Sequence, residues 1–297
     1  MTTVLDRLRH GARVSVIRLR SMGDCVLTTP ALALLKAHRW DLHIHVIVEP
    51  QFREVFEGNR DVDEVCEKVP SSDLVLNFHG GTRSMLMTAA SRAPVRVGFA
   101  HHRFGFIYTH RIPTAQEILG VDRKVHTAEH LASAMFWLGV PRTEIPDARV
   151  SSKSHPEKLP YAVIHPFAAT PQKTWPAERF LAIARHLRAS AGLESVFIAG
   201  PGDDPAPFSE FRVYVNESLD RVKALIYSAD VFIGNDSGPA HIAAACGRPV
   251  VVLFGPSDPV VWAPWRTESR VLASPAGIER ISVEQVIEAV VALKVHS

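Results

Sequence analysis

Short apolar runs alternate with helix-forming stretches along the whole chain, and the alternation starts over near residue 160. In the first half the spacing predicts strands at 14–19, 44–48, 74–78 and 95–98. Helices fall between and after them, at about 24–38, 51–56, 82–91 and 128–138, with Pro30 in the first turns of the 24–38 helix. The second half predicts strands at 161–165 and 195–199 and helices at 177–190 and 218–228. A strand–loop–helix–strand block at 231–255 and an amphipathic helix at 283–293 complete it. Within 177–190, Phe180, Leu181, Ala184 and Leu187 share one helical face, while Glu178, Arg185 and Arg188 lie elsewhere. Brief strands separated by helices argue for parallel sheets built from βαβ units. The expectation is therefore an α/β chain with two Rossmann-like doubly wound domains, 1–150 and 151–297. Residues 141–160, rich in Pro, Ser and charge, read as the linker between them.

Composition narrows the class. The 297 residues suffice for two cores, and 46% hydrophobic with 22% charged residues reads as a soluble globular protein. No apolar run approaches the roughly 20 residues that span a bilayer, and no apolar core follows Arg7 and Arg9 to make a secretory signal. Cys25, Cys66 and Cys246 lack metal-ligand spacing and fit reduced thiols in a cytoplasmic protein, with peripheral contact at the inner membrane face left open. Charge is divided unevenly: residues 1–150 hold 19 basic against 16 acidic groups, or +3, and residues 151–297 hold 14 against 15, or −1. Residues 74–116 contain no acid at all, yet carry Arg83, Arg92, Arg96, Arg103 and Arg111 with His79, His101, His102 and His110. Such a stretch is either a solvated face or a field for an anionic ligand, whether substrate or lipid headgroups. The basic residues are not interleaved with stacking aromatics, which disfavours nucleic acid.

Four segments carry chemistry. In 231–255 an apolar run enters the turn Asn235-Asp236-Ser237-Gly238 before an Ala-rich helix. Asp236 or Ser237 suits its cap, Pro239 its first turn, and Gly247 the left-handed residue beyond its end. Free N–H groups at that helix start, with the positive end of its dipole, suit a phosphate or pyrophosphate. His241 lies one turn in, where a histidine is as readily packed as ligating. In 165–179 Lys173 projects from a loop ahead of Trp175-Pro176 and can pair with phosphates as a point charge. In 17–32 a strand ends, Gly23 lets the chain turn, and Asp24 emerges at the start of a helix, placed as a general base or as a cap. In 77–84, His79, Gly80 and Gly81 permit close backbone approach, and Arg83 can grip a carboxylate or phosphate bidentately. Neither donor segment, 165–179 nor 231–259, holds an Asp-x-Asp pair in which a divalent ion would bridge a diphosphate, and adjacent Asp203 and Asp204 point apart, so no metal and no cofactor is expected. No G-x-G-x-x-G follows a strand, which disfavours a nicotinamide dehydrogenase.

Together these segments resemble glycosyltransferase family 9, the ADP-heptose:lipopolysaccharide heptosyltransferases. The resemblance is strongest in Gly234–Gly247 continuing to Phe254-Gly-Pro-Ser-Asp-Pro259 and in Ser21-Met-Gly-Asp24 continuing to Leu32, and weaker at 165–179 and 77–84. It implies the glycosyltransferase B-type fold, whose two domains face a cleft, with the acceptor on the first domain and an ADP-sugar donor on the second. By the resemblance, Asp24 is the base of an inverting transfer of heptose or a related sugar. Lys173 contacts the nucleotide diphosphate; Asp236, Ser237 and Gly238 lie against the diphosphate and donor sugar, with His241 nearby. Where many members carry small hydroxyl residues, only Thr170 keeps one beside Ala168 and Ala169. Gly23, His79, Gly80, Gly81, Arg83 and Arg103 fall to an anionic, lipid-linked saccharide acceptor, and the 254–264 loop to the nucleotide base. Departing ADP would be stabilised by Lys173 and helix-end N–H groups without a metal. The rivals are another sugar-nucleotide transferase or epimerase of the same fold and a non-catalytic sugar-nucleotide or glycan-binding protein.

Overall fold

The computed structural model describes residues 2–154 and 160–293. Its contacts divide the chain into Met1–Ser151 and Ser152–Ser297. Of the expected linker, residues 155–159 lie outside the described residues, and 141–154 form neither helix nor strand.

The first unit runs β1 (Arg13–Ile17), α1 (Met22–His38), β2 (His43–Ile47), β3 (Glu64–Cys66), β4 (Leu74–Asn77), α2 (Thr82–Ala90), β5 (Val95–Phe99), β6 (His110–Ile112), α3 (Ala115–Leu119) and α4 (Thr127–Leu138). The second runs β7 (Tyr161–His165), α5 (Ala177–Ala191), β8 (Glu194–Ala199), β9 (Arg212–Val215), α6 (Leu219–Tyr227), β10 (Val231–Asn235), α7 (Gly238–Ala245), β11 (Val250–Phe254), α8 (Pro259–Trp262), β12 (Ser269–Ala273) and α9 (Val283–Ala292). The sheets are ordered β3-β2-β1-β4-β5-β6 and β12-β11-β10-β7-β8-β9, with every pairing parallel. The first sheet has the doubly wound Rossmann order 3-2-1-4-5-6; the second, counted from its own first strand, has the order 6-5-4-1-2-3, which is the same sequence read from the other edge.

The central strands are apolar because helices cover both faces. Val14–Ile17 in β1 and all of β10 and β11 are buried. In α5, Phe180, Ala184 and Leu187 are buried as their spacing predicts, joined by Ile183, and they pack with Trp175, Phe197 and Phe208 in the core of the second unit. Pro30 stands in the middle of α1 and not in its first turns. A proline there leaves the carbonyl of Val26 without its usual amide, and the Thr29 hydroxyl donates to that oxygen at 2.8 Å. The helix expected at 51–56 is a 3-10 turn, Pro50–Val55, opened by its proline. Four strands that sequence patterning does not reveal, β3, β6, β9 and β12, are the edges of the two sheets. Among the described residues no helix is long and apolar enough to cross a membrane.

Candidate functional site

Neighbouring strands β1 and β4 send the chain towards opposite edges of the first sheet, as β7 and β10 do in the second. At such a switch point the connecting loops part and leave a crevice beyond the carboxyl ends of the strands. The four segments singled out in the sequence lie at these two points, on the loops 18–21 and 78–81 in the first unit and 166–176 and 236–237 in the second, and on the helix starts that follow them.

In the first unit the turn after β1 is made by residues 18–21, and Gly23 already lies within α1 without a positive φ. The expectation that Gly23 makes the turn is therefore corrected: the extended Ser21 precedes the helix, and Gly23 is buried in its first turn. Asp24 is the third helical residue, with its side chain 22% exposed. Its Oδ2 accepts from the Ser21 hydroxyl at 3.0 Å and the Ser21 amide at 3.4 Å. Its Oδ1 accepts from Arg18 Nη1 at 3.1 Å. The carboxylate thus caps α1 and keeps part of its surface exposed just past the end of β1. Burial pulls the Arg18 guanidinium below its ordinary pKa, opposed by the Asp24 charge. Arg18 Nε is buried and has no hydrogen-bond partner among the described residues.

Asn77 ends β4 and is fully buried. Its Oδ1 accepts from the amides of His79 and Gly80, both at 3.0 Å, while Nδ2 donates to Tyr108 and Thr88 at 3.0 and 3.2 Å. Gly80 has φ +73° and lies so near His102 that a β-carbon would stand 2.5 Å from its Nε2. Gly81 precedes α2 as its cap residue. Arg83 donates to Glu49 Oε1 at 2.9 Å, so its present partner is a carboxylate of the protein. Arg103 is exposed, its guanidinium 5.7 Å from the centre of the Phe104 ring.

Three histidines, His79, His102 and His130, are less basic than a count of the sequence assumes. Burial, helped by His101, Arg18, His130 and His79, brings His102 down to about 4. Burial, then His101 and Arg18, does the same to His130. Burial and the charges of Arg18 and Arg20 lower His79. His102 and His130 are therefore uncharged near neutral pH, and His79 is shifted the same way. Arg96 is committed to backbone, its Nε donating to Ile107 O at 2.8 Å and its Nη1 to Ala93 O at 2.6 Å.

In the second unit Asn235 ends β10 as Asn77 ends β4. Its Oδ1 accepts from the Trp175 amide at 3.1 Å and its Nδ2 donates to Pro166 O at 2.8 Å, which ties both ends of the 166–176 loop to one side chain. Trp175 is fully buried and donates Nε1–H to Ile281 O at 2.9 Å. Between those ties Lys173 donates to Asp236 Oδ2 at 2.8 Å, with the carboxylate 8% exposed. Gly255, just past β11, supports the same loop, because a β-carbon there would overlap the Gln172 carbonyl oxygen. Ser237 caps α7 without a side-chain bond to the helix. Its hydroxyl instead lies 3.0 Å from Nδ1 of His165, whose pKa burial lowers to about 4. Gly238 is the first residue of α7 and His241 is buried within it. Thr170 is exposed and serves the loop through its carbonyl, which accepts from Lys173 N and Thr174 Oγ1, both at 3.0 Å. Asp203 and Asp204 are spent on their own turn, accepting from the amides of Gly200 and Ala206 at 2.8 and 3.0 Å.

Sequence reasoning did not single out Arg18, Asn77, His130, His165 or Asn235. A polar residue at the last position of an apolar strand is the signal shared by Asn77, His165 and Asn235.

Two Rossmann-order units in one chain, each with charged and small residues at its switch point, have the architecture of the glycosyltransferase B-type fold. The solved structure of heptosyltransferase WaaC from E. coli with ADP is similar over 95% of this chain and 99% of that one, at TM-score 0.80 and 18% identity. The glycosyl transferase family 9 protein from Veillonella parvula is similar over 95% and 97%, at TM-score 0.84 and 25% identity. In sequence, lipopolysaccharide heptosyltransferase 3 of Escherichia coli is 27% identical over 83% of this chain and 84% of its own length. The sequence model of glycosyltransferase family 9 (heptosyltransferase) matches residues 66–287, and the chain belongs to that family.

Proposed function

We propose that this chain is an inverting transferase that moves a heptose from ADP-heptose to a hydroxyl of an acidic, lipopolysaccharide-core-type saccharide. The donor belongs to the second unit and the acceptor to the first. The observation that carries the reading is Asp24, a carboxylate at the first switch point held by Ser21 and Arg18 with part of its surface free. An acceptor hydroxyl is a poor nucleophile, and a positioned base that takes its proton during attack on the anomeric carbon typically contributes 10²–10⁴-fold. Attack from the face opposite the departing ADP inverts the centre.

The second switch point supplies what the leaving group needs. Growing negative charge on ADP is met by Lys173 and by the free N–H groups at the start of α7, around Ser237 and Gly238. Asp236 carries the wrong sign to touch a diphosphate directly; its work is to hold Lys173 in place. Each role needs only this chain's residues, so transfer proceeds without a divalent ion. Among the relatives, E. coli WaaC has been solved with ADP-2-deoxy-2-fluoro heptose, which supports the same donor class here.

The test is transfer from ADP-heptose to a lipopolysaccharide core acceptor, with chelator present throughout. Asp24→Asn is expected to lower kcat by about 10²–10⁴-fold while ADP affinity stays unchanged, and Lys173→Gln to weaken ADP binding. An Asp24→Asn enzyme that keeps the wild-type rate, or a wild-type enzyme silenced by chelator, would overturn the proposal.

A further inference from the structure

The stretch that joins β5 to β6 exposes an aromatic tip, Phe104 and Phe106, to which the proposed transfer assigns no role. Phe106 is 83% exposed and Phe104 45%, their rings edge to face at 6.2 Å. Phe104 adopts a left-handed backbone, φ 58°, a conformation that favours glycine or asparagine over a bulky side chain. The 3-10 turn at Gly105–Ile107 lies against α2, where Leu86 is itself 60% exposed. Water is a poor solvent for this much apolar surface, and its concentration on one segment marks an interaction site.

Charge identifies the partner. Arg103 lies over the Phe104 ring, and Arg111 runs beside the turn, its Nη1 3.0 Å from where a Gly105 β-carbon would be. Arg92, Arg103 and Arg111 are all exposed, and among the described residues none has an ion pair with a carboxylate. No acidic residue occurs anywhere in 74–116. Aromatic rings flanked by Arg103 and Arg111 match the headgroup zone of an anionic bilayer, where rings enter the acyl boundary and guanidinium groups meet lipid phosphates. A protein partner, or a second copy of the chain, would have to supply acidic groups around an apolar socket. A bilayer supplies both everywhere.

We infer that Phe104 and Phe106, framed by Arg103 and Arg111, dock this chain on anionic membrane surfaces. The inference does not depend on the sugar donor or acceptor. It is tested with phosphatidylcholine vesicles, with or without phosphatidylglycerol, that contain no saccharide lipid. The wild-type chain is expected to co-sediment with the anionic vesicles, weakly with neutral ones, and less as salt rises. Phe106→Ser combined with Phe104→Asn, which keeps a residue suited to the left-handed backbone, should lower partitioning about tenfold or more. Its thermal midpoint and its activity on a soluble, delipidated acceptor should be unchanged. Phe106→Trp provides a direct reading: its emission should be quenched by brominated lipid beyond the wild-type response. Equal binding by the double variant, equal binding to neutral vesicles, an unquenched tryptophan, or phenylalanine-dependent dimerisation without vesicle binding would each overturn the inference.

Discussion

The smallest features with the largest consequences are side chains at strand ends. Asn77 and Asn235 occupy the same position in their two units, each closing the fourth strand and spending its amide on a loop of the switch point. An amide suits this work because it donates and accepts without carrying charge into a buried place. His165 follows the same logic with an imidazole whose folded-state pKa is about 4, below the ordinary 6.5. Below about pH 6.5 the unfolded chain takes up a proton that the folded one refuses, so stability is full above that pH and declines as pH falls towards 4. His102 and His130 act in the same direction. Thermal unfolding followed between about pH 7 and pH 5 should show His165→Gln losing less stability than the wild type, by roughly 1–2 kcal/mol. Parallel curves would mean the ring is already charged when folded.

At the level of elements, the 166–176 loop is held from three sides: by Asn235 at its ends, by the buried Trp175, and by Gly255 beneath Gln172. Gly255→Ala needs no forbidden backbone angle, since its φ is not positive. The new methyl group would meet the Gln172 carbonyl, so the loop has to move and Lys173 moves with it. The expected outcome is an ADP Kd raised about tenfold or more, the equivalent of roughly 1.4 kcal/mol, with the far-ultraviolet circular dichroism of the wild type. Calorimetric titration with ADP measures it, and an unchanged Kd would show that the loop's position does not matter to the nucleotide.

For the molecule as a whole, each unit carries its own six-stranded sheet and its own core. Two such units need not unfold as one. Scanning calorimetry should resolve two transitions, and ADP should raise only the one that belongs to Ser152–Ser297. At about a hundredfold excess over Kd the stabilisation is about 2.7 kcal/mol, or roughly 5–10 °C for a unit of this size. A single transition, or two that shift together, would show that the units behave as one cooperative body.

The two-unit α/β plan was readable because a strand covered on both faces must be apolar throughout, as 231–235 and 250–254 are in all but the glycine and the closing asparagine of the first. The edge strands β3, β6, β9 and β12 were not, because one side of each has no neighbour and its composition is free to be mixed. That Asp24, Lys173 and the 236–238 turn follow the ends of strands was readable as well, since small and charged residues soon after an apolar run mark the point where the chain leaves the sheet. Their partners were hidden. Arg18 on Asp24, Glu49 on Arg83, and Asp236 on Lys173 are pairings across 6, 34 and 63 residues of chain. Patterning fixes which face of a segment is buried, because that depends on local periodicity. Only the register of neighbouring parallel strands decides which loop ends meet, and so which charges are neutralised and which remain to do chemistry.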